Sequence, residues 1–219
     1  MEKYLPILLQ CDLFQGIEAG DIPGMLDCLG ASVRSVGKNG EILAEGESAA
    51  FLGILLSGSA HVVRQDYYGS RSIVGSVAPG ELFAESFACA DVQTMPVSVI
   101  ANEPCEVMFI HCQRVTAGCS NACCFHSRLI YNLLGIVARH NLEFHQKLQI
   151  TANRTTREKL MAYLLAQAKE KDADTFVIPY DRQALADYLG VERSAMSAEL
   201  SKLKKDGVID FRRSSFTIL

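Results

Sequence analysis

From Ser32 to about Cys112, short apolar or alternating runs recur between glycines. The runs are Phe51 to Leu56, His61 to Arg64, Ser72 to Val77, Val97 to Ala101 and Val107 to Ile110, with Gly46, Gly58, Gly69 and Gly80 among them. Strands this short at this spacing predict a closed antiparallel roll or jelly roll. A small barrel of this kind either fills its interior with side chains or holds one small ligand. Ahead of it, Leu5 to Phe14 and Ile22 to Leu29 predict short flanking helices. Beyond it the period changes, and Ser120 to Ile150 reads as one long helix. Its apolar positions Ile130, Leu133, Val137, His140, Phe144 and Leu148 alternate by three and four, the spacing of a coiled-coil seam with one polar member. The roll can cover part of such a stripe and a second copy of the helix the rest, which predicts a two-fold homodimer.

The remaining pattern is finer-grained. Thr151 to Thr155 is a polar hinge, and Thr155 or Thr156 can cap a helix running to about Lys169. A solvated loop, Glu170 to Asp174, leads to a short strand at Thr175 to Pro179. Asp181 to Leu203 then reads as two short helices broken at Gly190. The first is capped by Asp181 and carries Leu185, Ala186 and Leu189 inward; the second buries Met196, Leu200 and Leu203. The opposite face of the second helix shows Arg193, Ser194, Ser197, Ser201 and Lys204. An early Arg on the second of two turn-linked helices suits a helix lying in a DNA major groove, where Arg can grip guanine with two hydrogen bonds. An ordinary helical hairpin with a solvated face also fits these residues. Val208 to Phe211 and Phe216 to Leu219 shift the balance, being strand-like runs around Arg212, Arg213, Ser214 and Ser215. Helix, turn, helix and basic wing make a winged helix-turn-helix, and Arg182 at the head of its first helix joins the candidate DNA contacts.

The pattern therefore predicts an α+β protein in three parts: a β-roll with flanking helices over 1–118, a dimerisation helix over 119–150 and a DNA-binding domain over 151–219. A length of 219 residues allows two modest cores. No apolar run approaches a membrane span, and the first residues lack a charged segment followed by an apolar core and a cleavage site. Eight cysteines without a secretion signal point to a reducing compartment, the cytoplasm. The formal charge of −4 is unevenly spread: from Thr151 onward twelve Lys and Arg meet ten Asp and Glu, while the rest carries nine against fifteen. An acidic part with another task is joined to a near-neutral DNA-contacting part, whose nonspecific affinity should be weak and salt-sensitive.

Two stretches are candidates for sensing. In Val77 to Glu85, Pro79 and Gly80 make a tight turn, and the following N–H groups could face inward as an anion site; a plain strand connection is the alternative. Gly80, Glu81, Leu82, Phe83 and Ala84, with Met95, Pro96 and Val97, form the candidate effector pocket. Phe83, Phe87 and Met95 equally suit core packing. The second stretch, Cys112 to His126, crowds Cys112, Cys119, Cys123, Cys124 and His126. On a helix begun by Cys119, Cys119, Cys123 and His126 share one side. Cys112, Cys119, Cys123 and His126 are thus candidate metal ligands, against the readings of buried apolar thiols or a metal-free redox site. A thiol beside His126 lacks a legible orienting group or oxyanion donor, so the chain is not read as an enzyme.

The order of roll, long helix and winged helix resembles the CRP/FNR superfamily of bacterial transcription regulators over essentially the whole chain. The residues carrying the likeness are Gly40, Gly46 and Gly58, the Pro79-Gly80-Glu81 turn, and Ser98 to Ala101 with Glu106 and Val107. Thr156 to Leu160 and the DNA-reading segment complete it. The resemblance implies a cyclic-nucleotide-binding-type sensor, a dimer reading a palindromic operator, an unidentified small-molecule effector and RNA polymerase as a partner. It also implies a departure. Members that bind cyclic AMP hold its phosphate with an Arg-Ser pair, and here that pair falls on Met95 and Pro96, so no cyclic AMP is expected. Iron–sulfur members keep their cysteines mainly ahead of the roll, where this chain has only Cys11 and Cys28; a metal or cluster is not favoured. Position 193 matches the family's guanine-reading Arg, while Ser194 and Ala198 stand where many members have Glu and Arg, which implies a different operator.

Overall fold

The computed structural model describes residues 2–116 and 125–219. The chain divides into two compact units, Met1–Gln65 with Val74–Asn141, and Asp66–Ile73 with Leu142–Leu219.

In the first unit, helices α1 (Leu5–Leu8) and α2 (Ile22–Leu29) precede the roll. Its strands are β1 (Ser32–Val36), β2 (Glu41–Leu43), β3 (Phe51–Ser57), β4 (Ala60–Gln65), β5 (Arg71–Val77) and β6 (Leu82–Phe83). A five-residue helix, α3 (Glu85–Cys89), comes before β7 (Ser98–Ala101), β8 (Cys105–His111) and α4 (Cys112–Thr116). The strands form two four-stranded sheets, ordered β1-β8-β3-β6 and β2-β7-β4-β5. Strand β8 is antiparallel to both β1 and β3.

The continuous apolar runs of β3 and β8 follow from burial on both faces. Leu55, Val107 and Phe109 point into the roll with Leu43, Val99 and Ala101. Leu52, Ile54, Met108 and Ile110 point the other way, onto α2 and the long helix α5 (Phe125–Thr151). Gly53 is small because the Phe83 ring takes the space beside it: a Cβ there would lie 2.1 Å from Phe83 Cζ. Gly53→Ala should therefore cost ~1–3 kcal/mol through overpacking, seen as a lowered urea midpoint with unchanged slope; an unshifted midpoint would refute it.

Helix α5 departs from the predicted seam by one position. Leu129, Leu133 and Ile136 are buried in the roll's helical layer, and His140 is bonded to Glu85. The exposed apolar positions are Ile130, Tyr131, Leu134, Leu142, Phe144 and Leu148. Two stripes run side by side, and the sequence pattern merged them. Asn132, buried on the inner side, donates to the Leu13 and Gln15 carbonyls, both at 2.9 Å, and so fixes the helix against the loop around Asp12–Phe14. The predicted start at Ser120 lies outside the described residues.

The second unit contains α6 (Thr156–Lys171), β9 (Thr175–Val177), α7 (Arg182–Leu189), α8 (Arg193–Lys205), β10 (Ile209–Arg212) and β11 (Ser215–Ile218). Thr155 caps α6 in a reciprocal box: its hydroxyl accepts from the Glu158 N–H while Glu158 accepts from the Thr155 N–H. Strands β10, β11 and β9 form one antiparallel sheet. Leu160, Leu164, Leu185, Leu189, Met196, Leu200, Leu203 and Phe216 are all buried. The Asp66–Ile73 turn belongs with this unit, where the Lys147 ammonium donates to the Ile73 carbonyl and stands 4.4 Å from the Tyr188 ring. Burial pushes Lys147 down to about 8.

Candidate nucleic-acid interface and sensor site

The interface is built from α7, α8 and the wing. Asp181 accepts the Ala184 N–H at 2.8 Å and starts α7. Gly190, left-handed at φ 62°, ends it and turns the chain into α8. Met196, Leu200 and Leu203 bury one side of α8, and Arg193, Ser194, Ser197, Ser201 and Lys204 are exposed along the arc beside it. These five share a helix face, but not one chemistry. Ser201 donates to the Ser197 carbonyl of its own helix at 3.0 Å. Lys204 reaches Asp210 of β10 at 2.5 Å and lies 5.3 Å from the Phe211 ring. Arg193, at the first turn of α8, is the long exposed cation at the helix start.

The wing is the β10–β11 hairpin, with Arg212 paired to Ser215 and Arg213 in the turn at φ 54°. Both arginines are exposed. Arg182 differs from them: its guanidinium is half-buried, 4.7 Å from the Phe211 ring and 5.1 Å from Phe216, so its planar cation holds α7 against the wing. Burial pushes its pKa down. The sequence grouped Arg182 with the DNA contacts; in the structure it is half-buried over the two rings.

In the roll, the eight candidate effector residues separate. Gly80 sits in its turn and donates to the Leu55 carbonyl at 2.7 Å; Glu81 caps the same turn by accepting from the Ala78 N–H at 2.8 Å. Leu82, Phe83, Ala84, Met95 and Val97 are buried, whereas Glu81 and Pro96 are exposed. Phe83 packs edge-on against Phe109, with centroids 6.3 Å apart. The short helical turn expected after Gly80 is α3, and its first residue is an acid. Glu85 is only 3 % exposed, and its Oε1 meets Ser86 Oγ and His140 Nδ1, both at 2.8 Å. The sequence placed Glu85 in the Val77 to Glu85 stretch and His140 in the helix seam, but nothing in it paired the two, which lie 55 residues apart.

Burial by itself would raise the Glu85 carboxyl; the hydrogen bond and charge of His140, helped by Ser86, outweigh it and hold the group below its ordinary 4.5. A carboxylate depressed in the folded state gives stability that is present above its unfolded value and lost as pH falls. Glu85→Gln should therefore flatten the acid limb of the stability curve below about pH 4.5, measured by urea melts across pH. An acid limb as steep as that of the parent would count against the pair.

Of the candidate metal ligands, Cys119 and Cys123 lie outside the described residues, as does Cys124. Cys112 is 4 % exposed and its sulfur lies 3.5 Å from that of Cys89. His126 is buried, with Nε2 placed 3.2 Å from the Arg114 carbonyl. Among the described residues no three His, Cys, Asp or Glu side chains gather as a metal site. Cys89 was not in the sequence-derived set.

Two family models match in the order the fold requires. The cyclic nucleotide-binding domain matches residues 33–121, and the Crp-like helix-turn-helix domain matches residues 158–219. The chain belongs to the CRP/FNR superfamily of transcription regulators. Solved structures agree in fold. The c-di-GMP responsive global regulator CLP of Xanthomonas campestris is 20 % identical, with TM-score 0.74 over 92 % of this chain and 99 % of its own. A CooA mutant from Carboxydothermus hydrogenoformans is 13 % identical, with TM-score 0.70 over 89 % and 85 %. FixK2 of Bradyrhizobium japonicum is 19 % identical, with TM-score 0.68 over 86 % and 92 %. No curated protein matches the chain. The regulator's family is one of transcription factors rather than enzymes. Among the described residues no helix of the regulator is long and apolar enough to cross a membrane.

Proposed function

We propose that this regulator is a homodimer that reads a palindromic DNA site through α8, and that its roll answers to an effector other than cyclic AMP. The observation that carries the DNA reading is the α8 surface: Arg193 stands exposed at the helix start, beside the buried stripe of Met196, Leu200 and Leu203. Such a helix start is where recognition helices meet base edges. Arg212 and Arg213 on the exposed wing supply phosphate contacts, which position without specifying.

Pairing rests on the outward stripe of α5. Ile130, Leu134, Val137, Asn141, Phe144 and Leu148 follow alternating steps of four and three, and all but the half-buried Val137 are exposed. A second copy of the same helix is the natural cover, with Asn141 a polar position that sets register. Sensing belongs to 1–118, pairing to 119–150 and DNA contact to 151–219, in the cytoplasm and in contact with RNA polymerase.

Rejection of cyclic AMP is supported by the two residues at the phosphate-binding positions. Met95 is buried among the roll's apolar side chains and Pro96 is exposed; neither carries a charge or a side-chain donor. A cyclic phosphate would exchange its water for uncompensated burial. Calorimetric titration of the full-length protein should show no binding by cyclic AMP at micromolar concentrations. Micromolar affinity would overturn this reading of the roll. Gel shifts on genomic fragments, with random competitor DNA, test the operator reading; loss of all fragments to competitor would count against it.

A further inference from the structure

We propose that Cys89 and Cys112 form a thiol–disulfide site that exchanges with low-molecular-weight disulfides of the glutathione class. The two residues lie 23 positions apart in sequence, yet their sulfurs stand 3.5 Å apart. Cys89 is the last residue of α3 and Cys112 the first of α4. A disulfide needs about 2.05 Å, so the sulfurs must close by about 1.5 Å. The two sides contribute unequally to that movement. Cys112 is buried, and its N–H is held by the Ala50 carbonyl at 3.0 Å. Cys89 is exposed and ends a helix of five residues. Among the described residues no third ligand joins the pair.

The division of exposure assigns the steps. The Cys89 thiolate attacks one sulfur of the small disulfide, joins to it and releases the other half as a thiolate. The Cys112 thiolate then attacks the Cys89 sulfur, closes the protein disulfide and releases the second half. Two protein thiols are oxidised by two electrons, and one small disulfide is reduced to two thiols, which take up the two protons. Burial and the hydrogen bond to Cys112 push the Cys89 thiol up to about 12, so exchange at neutral pH is slow and the site is best read at equilibrium.

The position of α3 gives the bridge a mechanical consequence. One end of the helix is Cys89; the other is Glu85, bonded to His140 of α5. Closing the disulfide pulls on a short element already tied to the helix proposed to pair the dimer. This consequence, unlike the bridge itself, rests on the dimeric DNA-binding reading above.

The test uses the reduced full-length protein, equilibrated without oxygen in mixtures of reduced and oxidised glutathione, acid-quenched, alkylated, digested and mapped by mass spectrometry. A peptide pair joined through Cys89 and Cys112 should grow with the oxidised fraction and vanish in Cys89→Ser. That exposed position spares the core, whereas Cys112→Ser puts a hydroxyl in a buried site. Cys89 recovered alkylated, as a glutathione adduct alone, or joined to another cysteine would overturn the site. Oxidation should also change DNA affinity roughly fivefold or more in the parent and not in Cys89→Ser; equal affinities with the bridge formed would overturn the coupling. Reduced protein that binds no DNA would instead remove the regulatory reading, and the peptide map would still decide the thiol site.

Discussion

Leu134→Glu is expected to turn the dimer into a folded monomer and to weaken operator binding roughly a hundredfold or more. Leu134 is 66 % exposed in the single chain, although it lies between the apolar Ile130 and Val137 on the outward stripe of α5. Burying such a side chain is worth about 1.5–3 kcal/mol, and a two-fold seam counts each substitution twice. The new carboxylates would also face an apolar seam, and each other's neighbourhood, without a partner. Operator affinity depends on both half-sites being held at once, so separating the copies removes the gain from linking them. The neighbouring residue is the control. Leu133 is 4 % exposed and packs in the roll's helical layer, so Leu133→Glu should unfold the first unit instead. Sedimentation velocity with circular dichroism distinguishes the two. A Leu134→Glu protein that still sediments as a dimer would rule out this seam.

That pair of residues also shows where the sequence was legible. Helical periodicity located the long helix, but it could not phase two adjacent stripes. Positions 129, 133 and 136 are buried in the roll's core, 137 packs at its edge, and 130, 134, 141, 144 and 148 are exposed, so any count by threes and fours can step between the two stripes. The roll's central strands were legible because both faces of β3 and β8 are buried and the chain reads as an apolar run. Strand β1 is mostly exposed and β6 has two residues, too little pattern for either to declare itself. The helix-turn-helix was the clearest part, since its caps, its glycine and its stripe are local signals: Asp181, Gly190 and Met196 act within a few residues of themselves. The roll's buried polar pair and its thiol pair were hidden for the opposite reason. Glu85 with His140, and Cys89 with Cys112, become neighbours only through the tertiary fold. Sequence proximity instead grouped Cys112 with Cys119 and Cys123.

Arg193→Ala is expected to cost ~1–3 kcal/mol of operator binding, roughly a 5- to 150-fold rise in Kd, with little change on random DNA. The asymmetry comes from what an arginine can do at a helix start. Its planar fork can meet the O6 and N7 of one guanine together, a pairing no other base edge offers. Arg193 is exposed in the first turn of α8, and the buried Met196 and Leu200 behind it hold the helix whether or not the guanidinium is present. The substitution should leave the melting temperature unchanged. The wing behaves differently. Arg213 sits in the β10–β11 turn, and its proposed contact is with phosphate, so Arg213→Ala should weaken specific and random DNA alike and flatten the salt dependence. Arg182 supplies the third contrast, because its guanidinium rests on Phe211 and Phe216; Arg182→Ala should lower stability before it lowers specificity. Titrations of the three variants on operator and random duplexes at two salt concentrations separate these roles. Equal losses on both duplexes for Arg193→Ala would remove it from base reading and leave it a phosphate contact.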